Sequence, residues 1–205
     1  MLDGFMEIPD QQETWNKIAG KWKDYRQRVS PTVVGFLKDK KGKLLDLGCG
    51  SGRNFIKKGG LSCYGVDFSS EMLKFAEDKK IAEELKVSSA GKIPYEDDFF
   101  DAGICVALLH CVYSKNERKK ILKEFYRVLK PGKEGLVSVW SRKSPRLKNK
   151  EKECFVPWTV NEKQGKEKRY TYIYDKEELE KELEWVGFEI LRSWEERNVN
   201  VIVRK

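Results

Sequence analysis

Apolar and aromatic side chains at Trp15, Ile18, Ala19, Trp22, Tyr25 and Val29 follow the three-to-four spacing of one helical face, which predicts a helix over 11–29. Ser30 and Pro31 form a cap and a first-turn proline for a second helix carrying Val33, Val34, Phe36 and Leu37, closed by Lys41-Gly42. The pattern then changes. Short apolar runs at 43–47, 62–66, 86–89, 101–107 and 135–140 predict strands, interleaved with helices at 53–58, 70–85 and 115–129. Ser69-Ser70-Glu71 caps the second of those helices. The third turns Ile121, Leu122, Phe125, Val128 and Leu129 to one side and stops at Pro131-Gly132. Residues 90–100 predict irregular chain.

Strands alternating with helices imply a mostly parallel sheet covered on both faces. Asp175 predicts the cap of a helix over 176–186. The strands that follow, 188–195 and 198–204, are joined too tightly for a crossover and must be antiparallel neighbours. The expected fold is therefore α/β and Rossmann-like: a seven-stranded, mostly parallel sheet ending in an antiparallel C-terminal hairpin. The length of 205 residues suits a single domain over 1–205, interrupted by a basic insert at about 141–169.

Charge sharpens this picture. The net charge is +8, and residues 141–169 hold ten basic residues against four acidic ones. Such a segment is either a solvated lysine-rich loop or a surface that tracks nucleic-acid phosphates. The five cysteines, Cys49, Cys63, Cys105, Cys111 and Cys154, form no CxxC pair, and His110 is the only histidine. Reduced, packed thiols and no metal site are expected. No apolar run is long enough to span a bilayer, and Met1–Asp10 lacks the order of a signal peptide, so a cytoplasmic location is expected.

The candidate chemistry centres on Leu44-Leu45-Asp46-Leu47-Gly48-Cys49-Gly50-Ser51-Gly52, an apolar strand running into a glycine-rich turn. Glycines let backbone approach a ligand. A second apolar strand ends at Asp67, where an acid can accept both hydroxyls of a ribose. The dinucleotide fingerprint G-x-G-x-x-G is not met, because Arg53 stands at its third glycine. A tight turn without a ligand is the competing reading.

The run D-L-G-C-G-S-G resembles motif I of the class I, Rossmann-like methyltransferases that use S-adenosylmethionine. Phe99-Phe100-Asp101 and Arg127-Val128-Leu129-Lys130-Pro131-Gly132 resemble later motifs of that superfamily. The resemblance implies S-adenosylmethionine as cofactor. Gly48, Gly50 and Gly52 would border its methionine part, with Asp46 supporting the turn. Asp67 would hold the ribose and Phe68 cover the adenine. Ser89 and Ala90 would meet the adenine edge, and Ala107 would close the site at the end of the central strand.

The flanks are similar to the tRNA wobble-uridine methyltransferases, which methyl-esterify 5-carboxymethyluridine. The similarity runs through Trp15-Asn16-Lys17-Ile18-Ala19, Trp22, Arg26 and Pro31, then Leu109-His110, Phe155-Val156-Pro157-Trp158, Arg169-Tyr170, Glu178-Leu179, Gly187-Phe188 and Asn198. Three positions depart from the family pattern. Cys111 and Tyr172 stand where the family favours histidine, and Glu196-Arg197-Asn198-Val199 replaces an R-D-N-W-like element. The resemblance implies tRNA as substrate, a small zinc-ribbon activator protein as partner, and a target pocket formed by Arg26, His110, Arg169, Tyr170 and Asn198. His110 also admits a plainer role, a histidine held by backbone hydrogen bonds at a strand end. Trp15 and Trp22 admit core packing as well as stacking. A small-molecule methyltransferase of the quinone type and a non-catalytic cofactor-binding regulator are the alternative functions.

Overall fold

Seven strands pair in one sheet in the computed structural model, which describes residues 8–25, 27–161 and 165–205. β1 (Gly42–Leu47) is flanked by β2 (Leu61–Asp67) and β4 (Phe100–Val106), both parallel to it. β3 (Ala82–Val87) lies beyond β2 at one edge. On the other side β5 (Leu129–Trp140) runs parallel to β4, followed by antiparallel β9 (Asn198–Arg204) and, at the far edge, β8 (Glu189–Glu195). The expected seven-stranded topology is the one observed.

Successive strand residues point to opposite faces, so near-continuous apolar strands fill two cores. Leu45, Leu47, Val66, Cys105 and Val137 meet α4 (Lys115–Val128) and α5 (Lys176–Val186) on one face. Leu44, Cys63, Ala102, Ile104 and Leu136 meet α2 (Pro31–Leu37) and α3 (Ser70–Glu77) on the other. Ser69 caps α3 as expected, its Oγ accepting the Met72 N–H at 3.1 Å. Asp175 stands at the N-cap of α5 but makes no side-chain cap bond; its carboxylate takes Lys152 Nζ at 2.6 Å instead.

Several boundaries differ from the sequence pattern. The first helix, α1, covers Gln11–Tyr25 and does not reach Val29, which packs beside the α2 core. No helix forms over 53–58. The chain there makes tight turns, with Gly52 N–H bonded to the Cys49 carbonyl and Phe55 N–H to the Gly52 carbonyl. Packing decides this: Phe55 turns inward against Ala76 and Gly65, which a continuous helix would not allow. The helix expected over 70–85 ends at Glu77, where Lys80 adopts φ 52, and the third strand accordingly spans 82–87 in place of 86–89. The strand expected at 135–140 begins at Leu129, since Pro131-Gly132 bends the chain without ending its extension.

The largest difference is the basic insert, which is not simply a loop. It holds an antiparallel hairpin, β6 (Glu153–Asn161) and β7 (Gly165–Tyr172), forming a separate two-stranded sheet. Arg169 sits opposite Val156 and shares its face with Trp158 and Val160, which pack on α1. Tyr170 sits opposite Phe155 on the reverse face, with Lys168 and Lys166 further along it. Among the described residues, no helix is long and apolar enough to cross a membrane.

Candidate cofactor cleft and active site

A cleft of about 300 Å³ opens at the carboxyl ends of β1–β4. Its floor is Gly48, Gly50 and Ser51 after β1, Asp67 and Phe68 after β2, Ser89 and Ala90 after β3, and Ala107 and Leu108 after β4. Gln11, Trp15 and Trp22 of α1 and Tyr113 beyond β4 form the walls. This is where an open α/β sheet binds ligands.

The turn after β1 follows from its glycines. Gly48, Gly50 and Gly52 have φ of 72°, 53° and 69°, a region that other residues avoid. Gly52 does not line the cleft; a Cβ on it would fall 2.7 Å from the Phe55 ring. It serves packing beneath the turn. Ala107 adopts φ 65° without being glycine. A strained residue of this kind costs on the order of 1–3 kcal/mol and marks functional sites more often than ordinary turns. Its N–H is fixed on the Ser138 carbonyl at 2.8 Å.

Asp67 is buried, yet its carboxylate is anchored. Oδ2 accepts the Gly50 N–H at 2.8 Å and Oδ1 the Ser69 N–H at 2.9 Å. Each oxygen keeps a further lone pair for a hydroxyl. Burial raises its pKa to about 6, against the lowering effect of those backbone donors. Asp46 lies deeper, off the cleft surface, buried beside Asn54 of the turn. Burial raises its pKa to about 7, offset in part by Arg53 and by the Asn54 side chain, which lowers it. Two buried carboxyls beneath a glycine turn suit a ligand with positive charge and ribose hydroxyls, which is the chemistry of S-adenosylmethionine.

Arg169 is the centre of the adjoining region. Its guanidinium is buried among Trp22 (5.0 Å to the ring centroid), Trp158 (5.1 Å), Trp15 (5.6 Å) and Trp140 (5.8 Å). Trp15 and Trp22 line the cleft. His110 stacks on Trp140 at 4.6 Å, and its Nδ1 accepts the Trp140 backbone N–H at 3.3 Å. It is buried and does not line the cleft.

Asn198 sits opposite Trp140 in the β5–β9 register, donating to Ser138 Oγ at 3.4 Å. It faces a second hollow with Thr32, Lys143 and Arg197. Tyr170, on the other face of β7, packs against Tyr113 and Phe155. Arg26 lies outside the described residues. Trp140 therefore joins His110, Arg169 and Asn198, while Tyr170 meets the cleft through Tyr113 and Gln11.

Trp140, Gln11 and Tyr113 were not singled out by sequence. Trp140 ends the strand predicted at 135–140, so the rule that ligands bind at carboxyl ends of strands would have found it. Gln11 gave no signal: its Oε1 accepts the Tyr170 N–H at 2.9 Å across a long sequence separation.

Comparison with known proteins agrees with this arrangement. Residues 45–137 match the family described as methyltransferase domain. A methyltransferase structure from Methanosarcina mazei superposes with a TM-score of 0.69 at 23% identity, covering 87% of this chain and 98% of its own. A Haloferax volcanii methyltransferase, solved with the Trm112 methyltransferase activator, gives 0.70 at 16% identity, covering 97% of each. The fold is thus that of the class I S-adenosylmethionine-dependent methyltransferases, with residues 45–137 matching a methyltransferase domain.

The sequence relatives are more particular. It is 34% identical over 129 residues to the tRNA (carboxymethyluridine(34)-5-O)-methyltransferase of Arabidopsis thaliana, covering 62% of this chain and 31% of that protein. It is 24% identical over 163 residues to the Saccharomyces cerevisiae enzyme of the same name, covering 76% and 58%. The chain thus spans about a third of the first of these relatives and somewhat over half of the second.

Proposed function

We propose that this chain, acting as one domain over 1–205, methylates the carboxylate of 5-carboxymethyluridine at the wobble position of tRNA. The observation that carries the reading is Arg169, a buried cation caged by tryptophans that also wall the cofactor cleft. A guanidinium behind the cleft wall suits an anionic methyl acceptor better than a small apolar one. The names of the sequence relatives supply the nucleoside.

When bound, S-adenosylmethionine supplies a sulfonium methyl group open to in-line displacement. The chain's own work is alignment. In-line displacement would join one carboxylate oxygen of the substrate to that methyl group, with the sulfur keeping the electron pair of the broken C–S bond. No proton moves, which fits a site whose single histidine is stacked and backbone-bonded. Arg169 orients the carboxylate through tryptophan faces that exclude water. Asp67 would hold the ribose of the cofactor, and Ala107 lines the same cleft at the end of β4. His110, Tyr170 and Asn198 support this frame around Trp140 and Tyr113, with Arg26 assigned to the same anion by the sequence resemblance.

Two interactions extend the reading. The exposed Lys166 and Lys168 share a face of β7 with Tyr170, which leads back to Tyr113 at the cleft mouth; this row carries RNA phosphates. β3 is an edge strand with exposed positions, Val87 among them, and pairs with a small zinc-ribbon activator; the Haloferax neighbour was solved with an activator. The test is incubation of the purified chain, with and without activator, with S-adenosylmethionine and tRNA bearing unesterified carboxymethyluridine, read by nucleoside mass spectrometry. Formation of the methyl ester is expected. Methylation of quinone precursors and not tRNA would replace this reading by the small-molecule one.

A further inference from the structure

A ladder of aromatic rings leads out of the cofactor cleft. Trp15 and Trp22, both on the cleft wall, contact edge to face at 5.0 Å. Trp22 meets Trp158 at 5.0 Å, and Trp158 meets Tyr25 at 5.2 Å. Tyr25 ends the ladder at the surface, 54% exposed.

The basic loop after β5 reaches this outer end. Arg146 Nη2 donates to Tyr25 Oη at 2.8 Å. The loop is pinned beneath by fully buried Ser141 and Leu147 and by the turn bonds Ser144 N–H to Ser141 O and Leu147 N–H to Ser144 O. It therefore presents Arg146, Lys148 and Lys150 outward in a fixed order. Among the described residues no carboxylate lies within ion-pair distance of these three, whereas Lys143 and Lys152 are paired with Glu195 and with Asp175 and Glu178.

Exposed aromatic edges next to unneutralised cations are what unpaired RNA requires: a ring for the base and a charge for the phosphate. We propose that Tyr25, backed by Trp158 and held by Arg146, takes the unpaired nucleotide adjoining the target uridine, with its phosphate on Arg146 and Lys148. The proposal rests on the RNA reading above and deepens it. It makes the outer end of α1 a determinant of RNA choice, separate from the reacting centre at Arg169. A protein partner would want an apolar or acidic surface here and would be indifferent to the bases of the loop.

The experiment uses the full chain and three acceptors: whole tRNA, an anticodon stem-loop, and the same stem-loop made abasic at each position beside the target in turn. Tyr25→Ala should raise KM for tRNA and stem-loop roughly 5- to 150-fold, the range of one stacked base. Turnover of the free 5-carboxymethyluridine nucleoside should stay as in the wild type. One abasic position should impose the same rise on the wild type and no further rise on Tyr25→Ala. Tyr25→Phe, which keeps the ring, should lose only a few-fold through the Arg146 bond, and it serves as the test if the alanine variant folds poorly. Equal KM for tRNA in wild type and Tyr25→Ala, or additive losses from the variant and every abasic position, would overturn the proposal while leaving tRNA methylation intact. No methylation of any RNA acceptor by the wild type would instead overturn the function on which it rests.

Discussion

At the scale of single residues, the proposed function gives Asp67 the cofactor and Arg169 the acceptor. Asp67→Ala should remove charge-assisted hydrogen bonds to the ribose, each worth on the order of 1.5–3 kcal/mol, and lower cofactor affinity accordingly in calorimetry; unchanged affinity would remove Asp67 from the site. The two buried carboxyls also predict a pH dependence. In the free protein Asp67 and Asp46 give up their protons near pH 6 and 7 because burial disfavours their charge. A bound cation favours the ionised forms, so binding releases protons and affinity rises with pH to a plateau above about 7. Calorimetry in buffers of different ionisation enthalpy measures that release, and affinity independent of pH from 5 to 8 would contradict it. Arg169→Ala should cut turnover on the order of 10²-fold at saturating tRNA, with cofactor affinity nearly unchanged, since misplacing the acceptor by about 1 Å suffices. The glycine turn and Asp67 were legible in sequence because the chemistry demands those residue types at fixed places. Trp140 and Gln11 were not, because their roles come from contacts across the fold.

The strand pattern was legible at the scale of elements because apolar runs in a buried parallel sheet are nearly continuous. The segment 53–58 was not, since Phe55 is drawn inward by the packing around Ala76. Nor was the hairpin at 153–172, whose many lysines mask the alternation of Phe155, Val156, Trp158 and Val160. Its seating depends on Arg118 of α4, buried, with Nη1 donating at 2.9 Å to the carbonyls of both Val112 and Tyr113. The guanidinium lies 3.9 Å from the Tyr172 ring centroid, so one side chain ties β7 to the cleft wall. Arg118→Met should destabilise the fold by about 2–4 kcal/mol through those charge-assisted bonds, read from the urea midpoint. A change below about 0.5 kcal/mol would show that the wall stands without it. On the outward face of the same hairpin, Lys166→Glu with Lys168→Glu should weaken tRNA binding, flatten its salt dependence and leave cofactor affinity alone. Salt-insensitive tRNA binding would return these lysines to plain solvation.

For the whole molecule, the sheet brings every part of the account to one edge. The carboxyl ends of β1 to β4 hold the cofactor cleft, the end of β5 places Trp140 under Arg169, and α1 with the hairpin closes over both. The family pattern led to the cleft, which Gly48, Gly50, Asp67, Phe68, Ser89, Ala90 and Ala107 line while Asp46 and Gly52 lie off its surface. It carried the target pocket less well, because Cys111, Tyr172 and Val199 replace residues the related sequences favour. The most direct measurement is therefore of the product. Purified chain, S-adenosylmethionine and tRNA bearing 5-carboxymethyluridine at the wobble position should yield the methyl ester of that nucleoside, one methyl per tRNA, and the Arg169→Ala variant should nearly abolish it. Methyl transfer to another position of the tRNA, or ester formed equally well by the Arg169→Ala variant, would contradict the account.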